Sequence, residues 1–383
     1  MDILFWPGLV IFFLYALAGL DMLIGNRSVR FLRSVAPDPP ATDLRVSIIV
    51  AARNEERNIL EAVNSLLLLN YPDYELIVVD DRSEDRTGEI LENLAELLPR
   101  LKVIRIDELP QGWLGKNHAL WVGSQRATGE LLLFTDADII MEPTVLTRAV
   151  ALMEENSLDH LAATPSMHMP NLFLRMFGTS FILFFSFFAR PWKAKDPNSR
   201  FHIGIGAFNL VRTEAYHQVG GHKTICLRPD DDLKLGKIIK KAGLKQDVVF
   251  APEFLKVEWY ASLKEMIRGL EKNAFSGADY SIALVLFGVA FHLICSVWPF
   301  AAVFLTHGTT RMLYLAVVAL IALIFVDSAR YHQAQPWHVI GFPLTAALFA
   351  FILLRTMLLN LIQGGIYWRG TFYSLKELKR NRV

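Results

Sequence analysis

The chain has 383 residues, 53% of them hydrophobic, and a mean hydropathy of +0.32. It is too apolar for an ordinary soluble protein, whereas its charged fraction of 20% is too high for a protein built only of membrane spans. Because 39 basic residues oppose 38 acidic ones, no global field attracts nucleic acid, and no nucleic-acid partner is expected. The sequence has two cysteines, Cys226 and Cys295, whose distant and dissimilar surroundings argue against a disulfide framework or a thiolate metal site, which indicates a reducing compartment.

An apolar run at residues 3–24 is long enough to cross a bilayer, so residues 1–26 are predicted to hold an N-terminal transmembrane helix. The run lacks a basic n-region and a small-residue cleavage site, which favours an uncleaved span over a signal peptide. Arg27, Arg30 and Arg33 follow it, and the positive-inside rule therefore predicts that the next domain faces the cytosol. We expect an integral membrane protein whose soluble domain lies on the cytoplasmic side.

Strand and helix patterns alternate at the start of a soluble domain predicted over residues 40–275. In chain order, the predicted elements are strand 46–52, helix 55–69, strand 75–81, helix 84–98 opened by Ser83, strand 102–106, helix 116–127 and strand 130–135. Such alternation predicts a parallel sheet covered by helices, whose ligands bind at the carboxyl ends of the strands.

Polar residues stand at these strand ends. They are Asn54 and Glu55 after the first strand, Asp80 and Asp81 at the end of the second, and Asp136 and Asp138 after the strand 130–135. A lone aspartate there is usually a turn former or a helix cap. Three acidic clusters on one sheet edge instead predict a divalent-cation site, because packed like charges cost stability unless a cation neutralises them. Since neither GxxxxGK[ST] nor GxGxxG is present, phosphates would be held by metal and by side chains such as Lys116.

One apolar stretch, residues 172–190, interrupts the soluble domain and is nearly long enough to span a membrane. A span there would put the motifs before and after it on opposite sides of the bilayer. We therefore interpret the stretch as a helix lying in the membrane interface, and a buried core helix is the alternative.

Three more apolar runs, at 282–305, 312–326 and 339–362, predict C-terminal transmembrane helices within residues 280–366. The basic tail that follows, residues 367–383, should lie inside, whereas four full spans from an outside N-terminus would put it outside. One of the later hydrophobic segments is therefore expected to be re-entrant, and the sequence does not indicate which.

Four motifs, in this order and spacing, resemble family 2 glycosyltransferases with a GT-A fold: VSIIVAARNEE, ELIVVDDRSEDRTGEI, LLLFTDADI and DDDLKLGKIIKKAG. The likeness covers about residues 44–275 and implies a Rossmann-like α/β domain that binds a nucleotide-sugar donor, joined to α-helical transmembrane segments. The stretch PQGWLGKNHA at 110–119 is similar to membrane-bound members that glycosylate lipids, including hopene-associated, carotenoid-type and ceramide-type enzymes. The resemblance thus implies a lipid acceptor at the bilayer, and we expect a bacterial cell membrane.

The resemblance also implies roles for single residues. Asp80 or Asp81 would bind the base of the nucleotide, usually uridine. Asp136 and Asp138 would hold Mg²⁺ or Mn²⁺ on the diphosphate, and Lys116 would lie near the nucleotide or diphosphate.

The segment DDDLKLG at 230–236 resembles the family's E/D-D-x-x-L-G pattern, which makes Asp232 the leading catalytic base and Asp231 its neighbour. Because Asp230 is also acidic, a register one residue earlier stays open. The alternative is that the cluster only caps the helix predicted at 233–242, where negative charge is favourable.

Processive polysaccharide synthases of this family carry Q/RxxRW on an interfacial helix. Residues 265–269, EMIRG, keep Arg268 but lack the Gln and Trp, which weakens the polymer-synthase interpretation. Arg268 remains an expected substrate contact, as do Asn54 and Glu55.

We therefore expect an inverting displacement in which an aspartate takes the proton of the acceptor hydroxyl and a metal neutralises the leaving diphosphate. A polysaccharide synthase is the nearest alternative, but Arg355 and Asn360 are too few for a polar channel through the spans. A non-catalytic membrane protein that binds nucleotides would not need so many paired carboxylates. An oxidoreductase is opposed by the missing glycine fingerprint.

Overall fold

The structure, a computed structural model, describes residues 3–37 and 43–383. Residues 1–2 of the first predicted span and the predicted domain start at residue 40 lie outside this part. The chain forms two compact units. The first contains residues 29–167, 191–258 and 380–383, and the second contains the segment up to Ser28 with residues 168–190 and 259–379.

The strands and helices are numbered in chain order. The strands are β1 Arg30–Phe31, β2 Val46–Ala52, β3 Tyr74–Asp81, β4 Leu101–Ile106, β5 Leu131–Asp136, β6 Ile139–Met141, β7 His160–Thr164, β8 Ser166–His168, β9 Asn209–Arg212, β10 Gln246–Phe250, β11 Leu255–Glu258, β12 Gly365–Trp368 and β13 Thr371–Ser374. The helices are α1 Phe5–Ser28, α2 Ile59–Leu67, α3 Thr87–Leu97, α4 Gly115–Arg126, α5 Val145–Asn156, α6 Leu172–Ala189, α7 Thr213–Gln218, α8 Gly221–Thr224, α9 Asp231–Lys241, α10 Leu263–Gly277, α11 Ile282–His292, α12 Trp298–Leu305, α13 Gly308–Ala329, α14 Phe342–Gln363 and α15 Leu375–Arg380.

An eight-stranded sheet, in the order β1-β10-β7-β9-β5-β2-β3-β4, forms the centre of the first unit. Strands β5, β2, β3 and β4 are parallel, as the alternation of elements predicts. Strand β9, however, runs antiparallel to both β5 and β7, so the sheet is mixed. The parallel arrangement expected over residues 46–135 is confirmed, whereas β9 lies beyond the alternating pattern and had no predicted direction.

The two faces of β2 explain why its sequence is a continuous apolar run. Val46, Ile48 and Val50 share one core cluster with helices α2 and α5, whereas Ile49 packs in another with α4 and α9. Because helices cover both faces of this strand, neither face requires polar side chains, and the sequence does not alternate between apolar and polar residues.

The second unit is mainly helical. Among residues 3–37 and 43–383, five helical segments are long and apolar enough to cross a membrane: Phe5–Ser28, Leu172–Lys193, Ile282–Leu305, Gly308–His332 and Pro336–Gln363. The run predicted at 312–326 is therefore extended to a helix of sufficient length. Arg355 does not interrupt α14, because its guanidinium pairs with Glu271 on α10. The interfacial position of residues 172–190 stays a prediction.

Glu75 is a buried charged residue near the amino end of β3, where its hydrogen bonds join neighbouring strands of the sheet. Its carboxylate accepts hydrogen bonds from Ser47 Oγ (2.6 Å), Lys102 Nζ (2.6 Å) and both the N–H and hydroxyl of Thr128 (2.7 Å each). Burial raises the pKa of Glu75, but these donors outweigh it and hold the pKa at about 2.

We predict that Glu75→Gln destabilises the protein at neutral pH and that this loss shrinks in acid. A carboxyl with a depressed pKa contributes stability above its unfolded value, near 4.5, and loses it as the pH falls towards 2. Thermal unfolding of the detergent-solubilised chain between pH 7 and pH 3 measures the difference between wild type and variant. Glu61→Gln, at an exposed position of α2, is the control. A pH-independent difference would contradict the prediction.

Candidate active site

The register of the central strands brings the predicted acidic residues to one edge of the sheet. Asp80 lies opposite Ala52, and Asp136 lies opposite Ala51, so both aspartates flank the carboxyl end of β2. Because neighbouring strands lie about 4.8 Å apart, the two backbones are separated by only about 10 Å. The strand-end clusters thus share one rim.

The loops after β2 and β3 are joined by hydrogen bonds. Asn54 has a positive φ of 54°, and its side-chain oxygen accepts from the N–H of Glu84 at 2.8 Å. Ser83 Oγ accepts from the N–H of Asn54 at 3.0 Å, and Thr87 Oγ1 accepts from the N–H of Glu55 at 2.8 Å. Asn54 and Glu55 are therefore placed at the rim.

This bonding corrects the predicted start of the second helix. Helix α3 begins at Thr87 rather than directly after Ser83, because the Asp85 carboxylate accepts the N–H of Thr87 at 3.0 Å and closes a turn before the helix. Ser83 contributes to the joint between the two loops instead of opening the helix.

Asp80 and Asp81 differ in their surroundings, although both are buried. Asp80 accepts the N–H of Ser83 at 3.2 Å. Asp81 pairs with the guanidinium of Arg82 at 2.8 Å and lies 3.9 Å from that of Arg53. A Cβ on Gly115 would lie 2.2 Å from the Asp81 carboxylate, so this glycine permits the close approach of α4 to the rim.

Lys116 connects two acidic clusters that are far apart in sequence. Its Nζ lies 2.8 Å from Asp136 Oδ1 and 3.2 Å from Asp231 Oδ2. Burial lowers the pKa of Lys116, but the charges of Asp136, Asp231 and Asp232 outweigh it and raise that pKa above its ordinary value. The side chain is therefore a permanent cation at neutral pH.

Asp136 and Asp138 present two carboxylates at the turn between β5 and β6. Burial raises the pKa of Asp138, and the negative charges of Asp136 and Glu55 raise it further. A carboxyl in this environment favours a partner that brings positive charge.

These residues fit a divalent cation that shares its ligands with a substrate. Within residues 3–37 and 43–383, no group of three or more His, Cys, Asp or Glu side chains is arranged to hold a metal by itself. Two carboxylates are nevertheless the usual protein contribution when phosphate oxygens and water complete the coordination of Mg²⁺. Asp136 and Asp138 match that donor set.

Asp232 lies in the first turn of α9, where the helix dipole favours negative charge. Its Oδ2 accepts the N–H of Gly206 at 2.8 Å, and its Oδ1 accepts the N–H of Leu233 at 2.7 Å. Burial raises the pKa of Asp232, and the Asp231 charge adds to this effect. A carboxylate with a raised pKa has the basicity that proton abstraction at neutral pH needs.

The third aspartate, Asp230, has a different environment. It is buried between Arg228, whose Nε donates at 3.1 Å, and Lys234, whose Nζ lies at 3.3 Å. These contacts make Asp230 a structural ion-pair partner and leave Asp231 and Asp232 as the acidic residues grouped with Lys116.

Sequence reasoning gave no individual role to two residues that organise this region. Gly206 places its N–H on Asp232, and Arg228 is almost fully buried against Asp230. The glycines of GIGAF and the acidic run after Arg228 were the available signals. Arg268 lies exposed on α10 in the other compact unit, so its predicted role in substrate binding stays a prediction.

This fold and site define the class of the protein. The sequence model of the family described as Glycosyl transferase family 2 matches residues 47–220. The chain carries a family 2 glycosyltransferase domain with the GT-A fold, and the protein is a glycosyltransferase. The fold and enzyme class expected from the four motifs are confirmed.

The chain is also similar to particular proteins. It is 26% identical over 283 residues to the 4,4'-diaponeurosporenoate glycosyltransferase of Staphylococcus haemolyticus, covering 70% of this chain and 71% of that protein. The Staphylococcus aureus enzyme of the same name is 21% identical over 338 residues, covering 87% and 89%. A mannosyltransferase from Pyrobaculum calidifontis, solved with GDP-Man and Mn²⁺, has a TM-score of 0.57 at 20% identity over 91% of this chain and 99% of that chain. The structural likeness establishes the fold.

We predict that Gly206→Ala lowers kcat/KM for glycosyl transfer by about 10 to 100-fold, because active-site groups displaced by about 1 Å lose that much. The new Cβ would lie 2.5 Å from Asp136 Oδ2 and 3.5 Å from Asp232 Oδ2. Asp136 Oδ2 is the end of a flexible side chain, so this carboxylate shifts while the fold persists, and the melting temperature should change little. Gly277→Ala, with no atom within 4 Å of its Cβ, is the control and should be neutral. Unchanged kinetics in Gly206→Ala would contradict the geometry.

Proposed function

We propose that the protein transfers a sugar from a nucleoside-diphosphate sugar, in the first instance a UDP-sugar, to a lipid acceptor with inversion at the anomeric carbon. The observation that carries this proposal is the junction at Lys116. Lys116 pairs with the strand-end aspartate Asp136, suited to the donor diphosphate, and with Asp231 at the start of α9, next to Asp232, suited to the acceptor. The side chain of Lys116 thus lies between the residue proposed to act on the donor and the residues proposed to act on the acceptor.

A divalent metal, Mg²⁺ or Mn²⁺, would be held by Asp136 and Asp138 together with the diphosphate. When bound, it supplies Lewis-acid neutralisation of the charge on the leaving nucleoside diphosphate. The raised pKa of Asp138 supports this assignment, as does the Mn²⁺ in the solved mannosyltransferase of similar fold.

The protein's own residues perform the remaining steps. Asp80 or Asp81 binds the nucleotide base, and Asn54 and Glu55 line the same rim beside the donor. Lys116 offers a fixed positive charge to the diphosphate. Asp232, oriented by the N–H of Gly206, accepts the proton of an attacking acceptor hydroxyl.

Two observations support a lipid acceptor. The curated relatives are named for 4,4'-diaponeurosporenoate, a carotenoid carboxylate. The described part of this chain also contains five helices apolar and long enough to cross a membrane. An acceptor that resides in the bilayer gives these helices a role in transfer, because it presents its reactive group without leaving the membrane.

We further propose that the catalytic domain faces the cytoplasm, as Arg27, Arg30 and Arg33 predict. In the structure these arginines pair with Asp327, Glu155 and Glu253. The pairing does not weaken the proposal, because the orientation rule counts Lys and Arg near a span rather than net charge.

The test of the function is an in vitro transfer assay. The purified full chain in detergent is incubated with Mn²⁺, radiolabelled UDP-glucose or GDP-mannose, and either a bacterial membrane lipid extract or 4,4'-diaponeurosporenoate. The expected result is label in a chloroform-extractable product of the β-anomer if an α-linked donor is consumed. Label that appears only in polymer, or none with any donor, would overturn the lipid-acceptor proposal.

We predict that Asp138→Ala abolishes transfer in Mg²⁺ or Mn²⁺ and weakens nucleotide binding. One of the two carboxylates that would hold the metal on the diphosphate is then lost, so binding and turnover fall together. Isothermal titration of the nucleotide with and without EDTA, alongside kcat, measures both effects. Asp230→Asn is unsuitable as a control because it breaks a buried ion pair, so Asp159→Asn, outside the rim, takes that place. Turnover that survives both Asp138→Ala and EDTA would disprove the metal assignment.

We predict that Asp232→Asn lowers kcat towards a hydroxyl lipid about 10²–10⁴-fold while nucleotide affinity stays within a few-fold. Asparagine retains the shape and accepts the Gly206 N–H, but it cannot take a proton. With 4,4'-diaponeurosporenoate the loss should be much smaller, because a carboxylate acceptor has no proton to give up at neutral pH. The assay compares both acceptors in wild type and variant. Near-normal kcat towards hydroxyl lipids would place the base elsewhere.

A further inference from the structure

Residues 380–383, which we term the anchoring segment, belong to the first unit, which contains the central sheet, although residues 259–379 before them belong to the second unit. The Asn381 amide makes two hydrogen bonds to one loop. Its Oδ1 accepts the N–H of Leu227 at 3.0 Å, and its Nδ2 donates to the carbonyl of Thr224 at 2.9 Å. Val383 packs against the apolar cluster on the same side of the sheet.

The loop held by Asn381 is bound on its other side by helix α4. Leu114 donates its N–H to the carbonyl of Cys226 at 2.8 Å. Asn117 Nδ2 donates to the carbonyls of Ile225 at 2.7 Å and Arg228 at 3.0 Å, and Asn117 is fully buried. The loop is therefore fixed between the anchoring segment and α4.

The two elements joined through this loop carry the charges at the centre of the site. Lys116 precedes Asn117 on α4, and Asp231 begins the helix that follows the loop. Their ion pair of 3.2 Å exists only if α4 and the loop keep their relative position. The loop after α8 has few backbone hydrogen bonds of its own to hold it there: the N–H of Ile225 bonds to His222, and that of Arg228 bonds to Ile225.

We propose that Asn381 is a positioning residue for glycosyl transfer, which acts through the loop 224–230 to set the Lys116–Asp231 ion pair. The proposal rests on the proposed function of Lys116 and Asp231. It makes the anchoring segment part of the catalytic apparatus, although Asn381 touches neither of these charged groups. Release of the segment loosens the loop and lowers turnover without removing any reacting group.

A double-mutant cycle tests this coupling in the full chain. Asn381→Ala removes both hydrogen bonds, and Asn381→Asp keeps the acceptor for Leu227 but loses the donor to Thr224, so the conclusion does not depend on one variant. Each is made in the wild type and in the Asp231→Asn background. The probe is UDP release from UDP-glucose with Mn²⁺ and a bacterial membrane lipid extract, and Lys379→Gln, at an exposed position on α15, is the control.

The expected result is that Asn381→Ala lowers kcat about fivefold to tenfold, because the loop loses the two hydrogen bonds that hold it, while the melting temperature falls by only a few degrees. In the Asp231→Asn background the same change should have little further effect, because residues that act through one another are not additive. Lys379→Gln should match wild type.

Two outcomes would overturn the proposal. Equal fold-losses in both backgrounds would show that Asn381 acts independently of Asp231 and is a general structural contact. Full activity of both Asn381 variants would show that the loop holds its position without them. An Asp231→Asn enzyme as active as wild type would instead contradict the role of Asp231 under the proposed function. The single Asp231→Asn variant tests that role independently of Asn381.

Discussion

The ion pairs of Lys116 are the interaction on which the arrangement of the site depends. Asp136 and Asp231 lie about a hundred positions apart in the chain, and one ammonium neutralises part of both. Without this charge, the carboxylates of Asp136, Asp231 and Asp232 would repel one another. The cation is in turn fixed because α4 packs on β2 and β3, whose buried faces leave the helix little freedom.

Close backbone approach is the second requirement of the site. A Cβ on Gly204 would lie 1.8 Å from the carbonyl of Asp232, and one on Gly236 would lie 1.8 Å from the carbonyl of Ile203. The strand-like segment before β9 therefore crosses α9 at a distance that only glycine permits. This crossing places the Gly206 N–H within hydrogen-bond distance of the Asp232 carboxylate. The carboxylate is therefore oriented by a backbone group rather than by another side chain.

The sequence predicted the parallel part of the sheet well because β2 and β3 are buried runs whose type depends on local composition. It did not predict that β9 is antiparallel. The direction of a strand depends on the side from which the chain re-enters the sheet, and no local sequence pattern encodes this. Asp136 and Asp138 were identifiable from their strand end. The contacts that separate Asp230 from Asp232 were not, because Arg228 and Gly206 act through tertiary packing that sequence spacing does not show.

The charge distribution also bears on the order of binding under the proposed function. Asp136 already has a cationic partner in Lys116, and burial together with the charges of Asp136 and Glu55 raises the pKa of Asp138. A divalent ion alone would therefore have to displace Lys116 from Asp136 and would gain only two carboxylate ligands. A nucleoside diphosphate changes this balance, since it supplies further oxygen ligands and gives the Lys116 ammonium a second anionic partner. Metal affinity should accordingly be weak without nucleotide and strengthen with it, because each ligand lowers the electrostatic cost of binding the other.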